Sequence, residues 1–494
     1  MSYDKILEKM ELGSDSAETD KILDSAFIET RQYLDALSGS RRLILGRKGT
    51  GKSAIYRMLS KRLDSDTQTV VQITPTKIFW GNLARKNKET NIEDLINLWE
   101  FSIYCRIFLD ARLQGIISNP RPLKDIDSLL KSILGVSRLK GTRLDRSQSE
   151  TILTKIWNAT TKLFGDSVTT AEVGNSIFKI KIDLVSSNGI VPDEIVSEFR
   201  YRLNEIVPVG YKIRVLFDQL DEYWDGSEQS QKMMTSLMSA ILNIIEQFPE
   251  RIIPTVFLRN DIWELLHFVR KDRYPMYESI LTWNDDNLAN LVCQRIRSST
   301  GIEGNDKDVW SHVFGQDNTP ASRTSPGYIL NRTFRRPRDV LYFVRECVTE
   351  ARNSGEGKIS PASVMAVERS SNSRTLTENL VNEVVVNYPF IRDILEALKG
   401  HRHVISRRTL ATIFKSAKEV YSGTFPKRCT NAWLEEWLFE LCVLGVSNTE
   451  SPTTSDTIYR YMESRTDIKC YKYFIVHPGL RAYLGTTNRT NRSQ

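Results

Sequence analysis

Cysteine is scarce and scattered. The 494 residues hold six, Cys105, Cys293, Cys347, Cys429, Cys442 and Cys470, with no CxxC pair and no His–Cys cluster at zinc spacing. That argues against a disulfide framework or a zinc site and leaves buried thiols. Only five histidines are present, and the one close pair, His401 and His403, reads as part of a basic loop. Long hydrophobic runs are missing too: residues 234–245, the longest, are too few and too broken by polar side chains to span a bilayer. The opening MSYDKILEKMELGSD has acidic residues and no apolar core of a secretory signal. A cytoplasmic protein with no membrane partner is expected. No 20–50-residue repeat, low-complexity tract, or nuclease, protease, deaminase or NAD-site motif is visible.

What is present describes a folded chain of roughly two to four domains, 40% hydrophobic and 26% charged. Net charge is +7, and residues 381–494 carry 16 Lys/Arg against 11 Asp/Glu, so most of the excess lies in the last quarter. Such a bias fits contact with a polyanion, although many soluble domains carry as much.

Residues 41–46 (RRLILG) read as a strand entering a Gly-rich turn, 52–61 as a helix, and 69–73 as a second strand. Residues 82–162 read as an inserted helical subdomain, and 176–184 (SIFKIKIDL) alternate as a half-buried strand. The apolar runs 213–217 and Ile252–Leu258 suit central strands buried on both faces, with Pro254 speaking against the second. Alternating strands and helices predict an α/β three-layer core. Beyond residue 287 the pattern turns helical, at 287–297, 338–351 and 361–369, the last opened by Ser360 as N-cap and Pro361. Three apolar stripes follow: Ile391/Ile394/Leu395/Leu398, Leu410/Ile413/Phe414/Ala417 and Trp433/Leu434/Trp437/Leu438/Leu441. With a strand pair expected at 458–462 and 470–476, they suggest a winged-helix domain. The expected division is a P-loop core at 1–285 with an insertion at about 82–165, a helical lid at 286–375 and a winged helix at 376–494.

Between the first strand and helix stands Gly46-Arg47-Lys48-Gly49-Thr50-Gly51-Lys52-Ser53, a GxxxxGK[ST] phosphate loop followed by Ala54. Glycines let backbone N–H groups close around phosphate oxygens, and the helix N-terminus adds partial positive charge. Lys52 would reach the β- and γ-phosphates of ATP, and the Ser53 hydroxyl would hold Mg²⁺. The strand VLFDQLDE then ends in acids: Asp218 fits the carboxylate that orients the Mg²⁺ shell, and Asp221 or Glu222 could polarise the attacking water. Two weaker signals complete the set. Asn260, with Arg259 second, follows a strand where a γ-phosphate sensor would lie, and Arg338 in Arg335-Arg336-Pro337-Arg338-Asp339 can link a lid helix to bound phosphate. A strand merely meeting a loop, and a solvated basic helix start, are the plain alternatives.

With GRKGTGKSA, FDQLDE and RPRD in this order, the chain resembles bacterial P-loop ATPases of the AAA+/STAND superfamily, and its core, lid and winged helix resemble origin-recognition-type initiators. The resemblance spans residues 28–484 and implies ATP bound between core and lid, a homo-oligomer, and a nucleotide-gated switch acting on an effector protein or on DNA. Members often serve in anti-phage defence. Typical members place Glu directly after the acidic Asp; here Gln219 stands there and cannot take a proton, so hydrolysis rests on Asp221 or Glu222 or is slow. An arginine finger from a neighbouring subunit would have Arg270 or Arg273 as candidates. A GTPase is disfavoured, since FLRND replaces an NKxD motif, and an ABC-type signature is missing between the two phosphate motifs.

The third tail helix, read as 431–444, carries Glu435, Glu436 and Glu440 and no Lys or Arg, so major-groove reading by it is disfavoured. Basic residues gather at 401–408 (HRHVISRR), Lys415, Lys418, Lys427 and Arg428, and at Arg460, Arg465, Lys469 and Lys472. DNA contact, if made, is expected through its backbone. The alternatives left open are an initiator or loader on DNA and an ATP-held scaffold that scarcely hydrolyses.

Overall fold

In the computed structural model the described residues are 6–65, 67–74, 91–113, 127, 130–131, 191, 193–222, 224–315, 322–421, 425–426, 429–453, 456–463 and 466–487. Five short strands, β1 (Leu43–Leu45), β2 (Gln68–Ile73), β3 (Lys212–Phe217), β4 (Ile252–Leu258) and β5 (Glu278–Ile280), pair entirely in parallel in the order β2-β3-β4-β1-β5. Alternate residues sort to opposite faces, as the two-residue period of a strand requires. Leu43, Leu45, Val71, Ile73, Ile213, Val215, Phe217, Val256 and Leu258 share one core with α3 (Ile92–Leu113), α4 (Asp193–Ile206) and α5 (Glu228–Gln247). The intervening residues face α1 (Arg31–Ser38) and α2 (Lys52–Arg62): Phe257 meets Tyr56 edge-on, and Arg214 donates to the Ala36 carbonyl at 2.5 Å. The result is a three-layer α/β core with a parallel sheet.

Two residues that look wrong for central strands have specific reasons. Val256 N–H donates to Arg42 across the β4–β1 edge, so the missing donor of Pro254, two residues earlier, points to the same side. There β1 has not yet begun, because its register starts at Leu43 opposite Val256. Arg214 is buried inside β3, where burial, then Arg42, pushes its guanidinium down to about 10; it remains charged and caps the end of α1.

The segment expected to be an inserted helical subdomain contributes α3, which is buried in the sheet's core. Its buried Glu100 accepts from Arg200 at 3.1 Å, Tyr104 at 3.2 Å and Asn243 at 2.5 Å, so the carboxylate is fully engaged. The rest of that segment, and the strand expected at 176–184, lie outside the described residues.

Packing divides the chain into two units: Glu29–Arg47 with Lys52–Leu281, and Met1–Ile28 with Lys48–Gly51 and Thr282–Gln494. The second unit is mostly helical. Its first core joins α7 (Asp285–Thr300), α8 (Asp306–Val313), α9 (Pro326–Leu330), α10 (Pro337–Asn353) and α11 (Pro361–Val367) to Leu7, Met10 and Leu12 of the N-terminal arm. Arg352 holds the arm by donating to the Leu7 and Met10 carbonyls, and Arg295 pairs with the buried Asp20. Ser360 and Pro361 open α11 as expected. A π-helical turn, Glu368–Asn372, then continues α11 into α12 (Ser373–Val384).

The second core holds α12, α13 (Ile391–Leu398), α14 (Arg407–Val420), α15 (Asn431–Glu440) and a three-stranded antiparallel sheet, β6 (Val404–Ser406), β7 (Leu444–Ser447) and β8 (Tyr473–Val476), in the order β6-β8-β7. The strand expected at 458–462 is not one. Ile458 forms a single bridge to Val446, while Tyr459 and Tyr461 pack their rings on His477. The partner of β8 is instead β7, whose start had been read as the end of the third helix; that helix stops at Glu440, and Cys442 turns the chain with φ +59°.

His477 is fully buried, accepting from Gly479 N–H at 3.1 Å, with the Tyr461 hydroxyl at 3.1 Å from its other ring nitrogen. Burial first, then Arg481, Arg335, Arg332 and Arg336, hold its pKa well below the usual value; burial first, with Arg481 and Arg402, pushes His403 down to about 4. Both stay neutral in the folded chain while the unfolded chain protonates them near pH 6.5. Stability is therefore complete above about pH 6.5 and falls as pH drops, by up to about 1.4 kcal/mol per pH unit for the buried His477. The melting temperature of this unit should drop between pH 7 and pH 5, less steeply in His403→Gln; a melting temperature that does not change with pH would contradict the assignment.

Candidate functional site

The phosphate loop leaves β1 at Gly46, whose N–H donates to Leu258 of β4 at 3.1 Å. In the sheet unit, Lys52 at the first turn of α2 is nearly buried and donates from Nζ to the Gly46 carbonyl at 2.9 Å and the Arg47 carbonyl at 3.2 Å. Its ammonium is thereby aimed along the inside of the loop. Next along α2, Ser53 donates its hydroxyl to the Asp218 carboxylate, just past the end of β3. Ala54 follows on the same helix.

Asp218 is buried, and its Oδ2 has no hydrogen-bond partner among the described residues. Burial pushes its carboxyl up to about 6; the Gln219 backbone N–H and the Ser53 hydroxyl oppose the rise, Asp221 adds to it, and Lys52 opposes it. Gln219 adopts φ +61°, the left-handed turn that ends the strand and brings its N–H to the carboxylate. A buried carboxylate oxygen with no donor, beside a serine hydroxyl at a helix N-terminus, fits a divalent cation.

Asp221 is half-buried and close enough to Asp218 to raise it, whereas Glu222 lies exposed on the turn, its N–H donating to Gln219 at 3.3 Å. At the end of β4, Arg259 is bound to Asp261, at 2.5 and 3.0 Å. Asn260, which opens α6 (Asn260–Leu265), keeps a buried Oδ1 with no partner among the described residues. Of the two sensor candidates, Asn260 is the one with a polar atom to spare. Arg270 and Arg273 both pair with Glu246, and Arg270 also donates to Asn243 at 2.6 Å.

The loop's tip, Lys48–Gly51, packs in the helical unit. Gly49 and Gly51 have φ of +86° and +100°, which glycine alone adopts without strain. Arg338 donates its backbone N–H to Gly49 at 3.3 Å and lays its side chain on that glycine; a Cβ there would stand 3.0 Å from Arg338 Cβ. Its Nε is buried without a partner among the described residues.

Two further residues hold the tip that sequence reasoning did not single out. Arg336 Nη1 donates to the Lys48 carbonyl at 2.9 Å and to Glu383 Oε2 on α12 at 2.8 Å, and Trp283 Nε1 donates to the Thr50 carbonyl at 2.8 Å. Arg335, beside Arg336, turns with φ +52°.

In the tail, the reason for discounting α15 as a groove reader changes. Glu435 is buried near Arg407, 3.7 Å apart, and Glu440 pairs with Arg460 at 2.6 Å in a partly exposed ion pair, so two of its three carboxylates already have arginine partners. The helix itself is mostly core: Leu434, Trp437, Leu438 and Phe439 are all buried. Of the basic residues, Arg407 donates to the Ile468 carbonyl and Lys418 to Cys429 and Asn431, while Arg408 and Lys415 are exposed. Lys427, Arg428 and Arg465 lie outside the described residues.

A family model described as the FunZ-associated C-terminal helical domain matches residues 286–380, a stretch containing Arg336 and Arg338. A curated relative, the putative transposon gamma-delta 80.3 kDa protein of Escherichia coli (strain K12), is 24% identical over 420 residues, covering 78% of this chain and 53% of its own length. The chain thus spans about half the length of that relative. Among solved structures, Aeropyrum pernix ORC2 in its ADPNP–ADP complexes aligns over 97% of this chain and 94% of its own at 13% identity, with a TM-score of 0.37. Cdc6p from Pyrobaculum aerophilum aligns over 90% and 88% at 13% identity with a TM-score of 0.31. Drosophila ORC bound to DNA aligns over 97% and 89% at 11% identity with a TM-score of 0.29. Likenesses this loose carry no weight for function. No helix among the described residues is long and apolar enough to cross a membrane.

Proposed function

We propose that the chain is an ATP-binding, slowly hydrolysing switch of AAA+/STAND type. The observation that carries this reading is the partnerless Oδ2 of Asp218 beside Ser53, at the mouth of a loop whose lysine is already turned inward. The backbone N–H groups of residues 46–53 and the N-terminus of α2 bind phosphate oxygens, and Lys52 matches their charge. Ser53 and Asp218 would hold Mg²⁺, which when bound would neutralise phosphate charge. Asp221 or Glu222 takes the proton of the attacking water, and Asn260 orients it. Gln219 takes none, so turnover is slow and the bound nucleotide is long-lived. Arg338 and Arg336 hold the loop's tip, and through Glu383 the state of the tip reaches α12. The chain works as a homo-oligomer controlling an effector protein, in the cytoplasm, in a setting such as anti-phage defence or the mobile elements named for its relative.

The test is steady-state ATP turnover by the purified chain, with and without double-stranded DNA. The expected result is Mg²⁺-dependent binding with turnover well below the ~1–10³ s⁻¹ of ordinary enzymes, unchanged by DNA. Failure to bind nucleotide would remove the reading. Strong stimulation by DNA would favour an initiator-type ATPase, a second reading supported by the pairing of Glu435 and Glu440 with arginines, which lessens repulsion on the tail. In that case Arg408→Glu/Lys415→Glu should weaken DNA binding and flatten its salt dependence.

A further inference from the structure

Four arginines, Arg332, Arg335, Arg336 and Arg481, crowd around the neutral His477. Three have carboxylates: Arg332 pairs with Glu368 at 3.2 Å, Arg335 with Asp285 at 2.5 Å and Arg336 with Glu383 at 2.8 Å. Arg481 has none within ion-pair distance among the described residues; its Nε donates to the Val476 carbonyl at 3.0 Å. Beside it opens a cavity of about 150 Å³, lined by Arg481, Arg332, Asn331, His403, Thr457 and Tyr459 among others. The Tyr459 hydroxyl is buried next to Arg481, from which it accepts a hydrogen bond, and its own proton finds no acceptor among the described residues. Glu368 acts on Arg481 only from beyond ion-pair distance, and a guanidinium held mostly out of water is costly unless an anion at closer range completes it.

We propose that this cavity is a binding site for a phosphate group, gripped by the guanidinium of Arg481 with that of Arg332 and receiving a hydrogen bond from the Tyr459 hydroxyl. Guanidinium forks match phosphate oxygens in pairs: Arg481 has no carboxylate at ion-pair distance among the described residues, and Arg332, whose Nε is taken by Glu368, adds a second guanidinium to the cavity lining. The volume accommodates the group and the atoms that bear it. The low pKa of His403 on the cavity wall, set first by burial and then by Arg481, agrees with a positive site. The site is separate from the phosphate loop: it is built from α9's exit, the Thr457–Tyr459 segment and the residue after the loop that follows β8, so it stands whether or not the chain binds ATP.

The phosphate can be free in solution or part of a nucleic-acid backbone, and the experiment separates the two. The full chain carrying Lys52→Ala, which disables the phosphate loop, is titrated with inorganic phosphate by calorimetry while the His403 ring resonances are followed. One phosphate per chain, with the His403 pKa moving up toward its ordinary value, is expected, and Arg481→Gln added to Lys52→Ala should abolish both. Should Arg481→Gln fail to fold, Arg481→Lys keeps the charge and should weaken binding roughly tenfold. In the second arm, a DNA duplex that displaces phosphate, with affinity falling tenfold or more on Arg481→Lys, identifies a backbone phosphate as the source; no displacement identifies a free one. Phosphate binding unaffected by either Arg481 variant, or no phosphate-dependent change at His403, overturns the proposal.

Discussion

Lys52→Ala is expected to weaken ATP binding at least about 100-fold, near 3 kcal/mol, while leaving the far-ultraviolet circular dichroism of the chain unchanged. The lysine does two jobs that alanine cannot. Its ammonium supplies the charge that phosphates meet, and its bonds to the Gly46 and Arg47 carbonyls keep those acceptors turned inside the loop. Because α2 is held by Ile55, Tyr56 and Leu59 in the core, the helix persists without it. Titration with a fluorescent ATP analogue reads the effect directly. Wild-type affinity in the variant would mean that nucleotide, if bound, is bound elsewhere.

Asp218→Asn should do the opposite to stability and comparable harm to function. A carboxyl held near pH 6 by burial disfavours folding at neutral pH, since the folded chain must keep a buried charge that the unfolded chain carries in water. The penalty is fully present above about pH 6 and disappears as pH falls below the unfolded value. Asparagine removes it while still accepting from the Gln219 N–H, so the variant should gain up to about 3 kcal/mol, on the order of 5–10 °C in melting temperature at pH 7.5 without metal. Mg²⁺ should then no longer strengthen nucleotide binding. Melting curves in chelator, paired with nucleotide titrations at varied Mg²⁺, check both halves. A variant that is less stable and still responds to Mg²⁺ would show that Asp218 is held by structure alone.

The phosphate loop was legible because its parts are consecutive: the glycines, Lys52 and Ser53 stand in one run, and the strand before it and helix after it are plain in the apolar pattern. The same locality made β3, β4 and most tail helices visible. What sequence could not show is what long-range packing decides. Arg336 and Glu383 are 47 residues apart, and nothing in either neighbourhood marks the pair. Nor does anything around Trp283 announce that its indole N–H donates to the Thr50 carbonyl. Residues 458–462 alternate as a strand would, yet Tyr459 and Tyr461 spend that alternation on His477. Nothing local marks the N-terminal arm, expected within a core at 1–285, as the source of Leu7, Met10 and Leu12 in the core of the helical unit.

The π-helical turn at Glu368–Asn372 determines which changes this chain can tolerate. A π turn accommodates one residue more than an α turn, so the whole of α12 is phased by that surplus. Deleting a single residue there would let the helix relax to regular α geometry and rotate everything beyond it by about 100°. Glu383, on the far end of α12, would swing away from Arg336 although every side chain of the pair was still present. The contact between the loop tip and α12 therefore depends on residue count as much as on residue identity: loss or gain of one residue in the turn would break it, and would also turn Leu376, Leu380, Val381 and Val384 out of the second core.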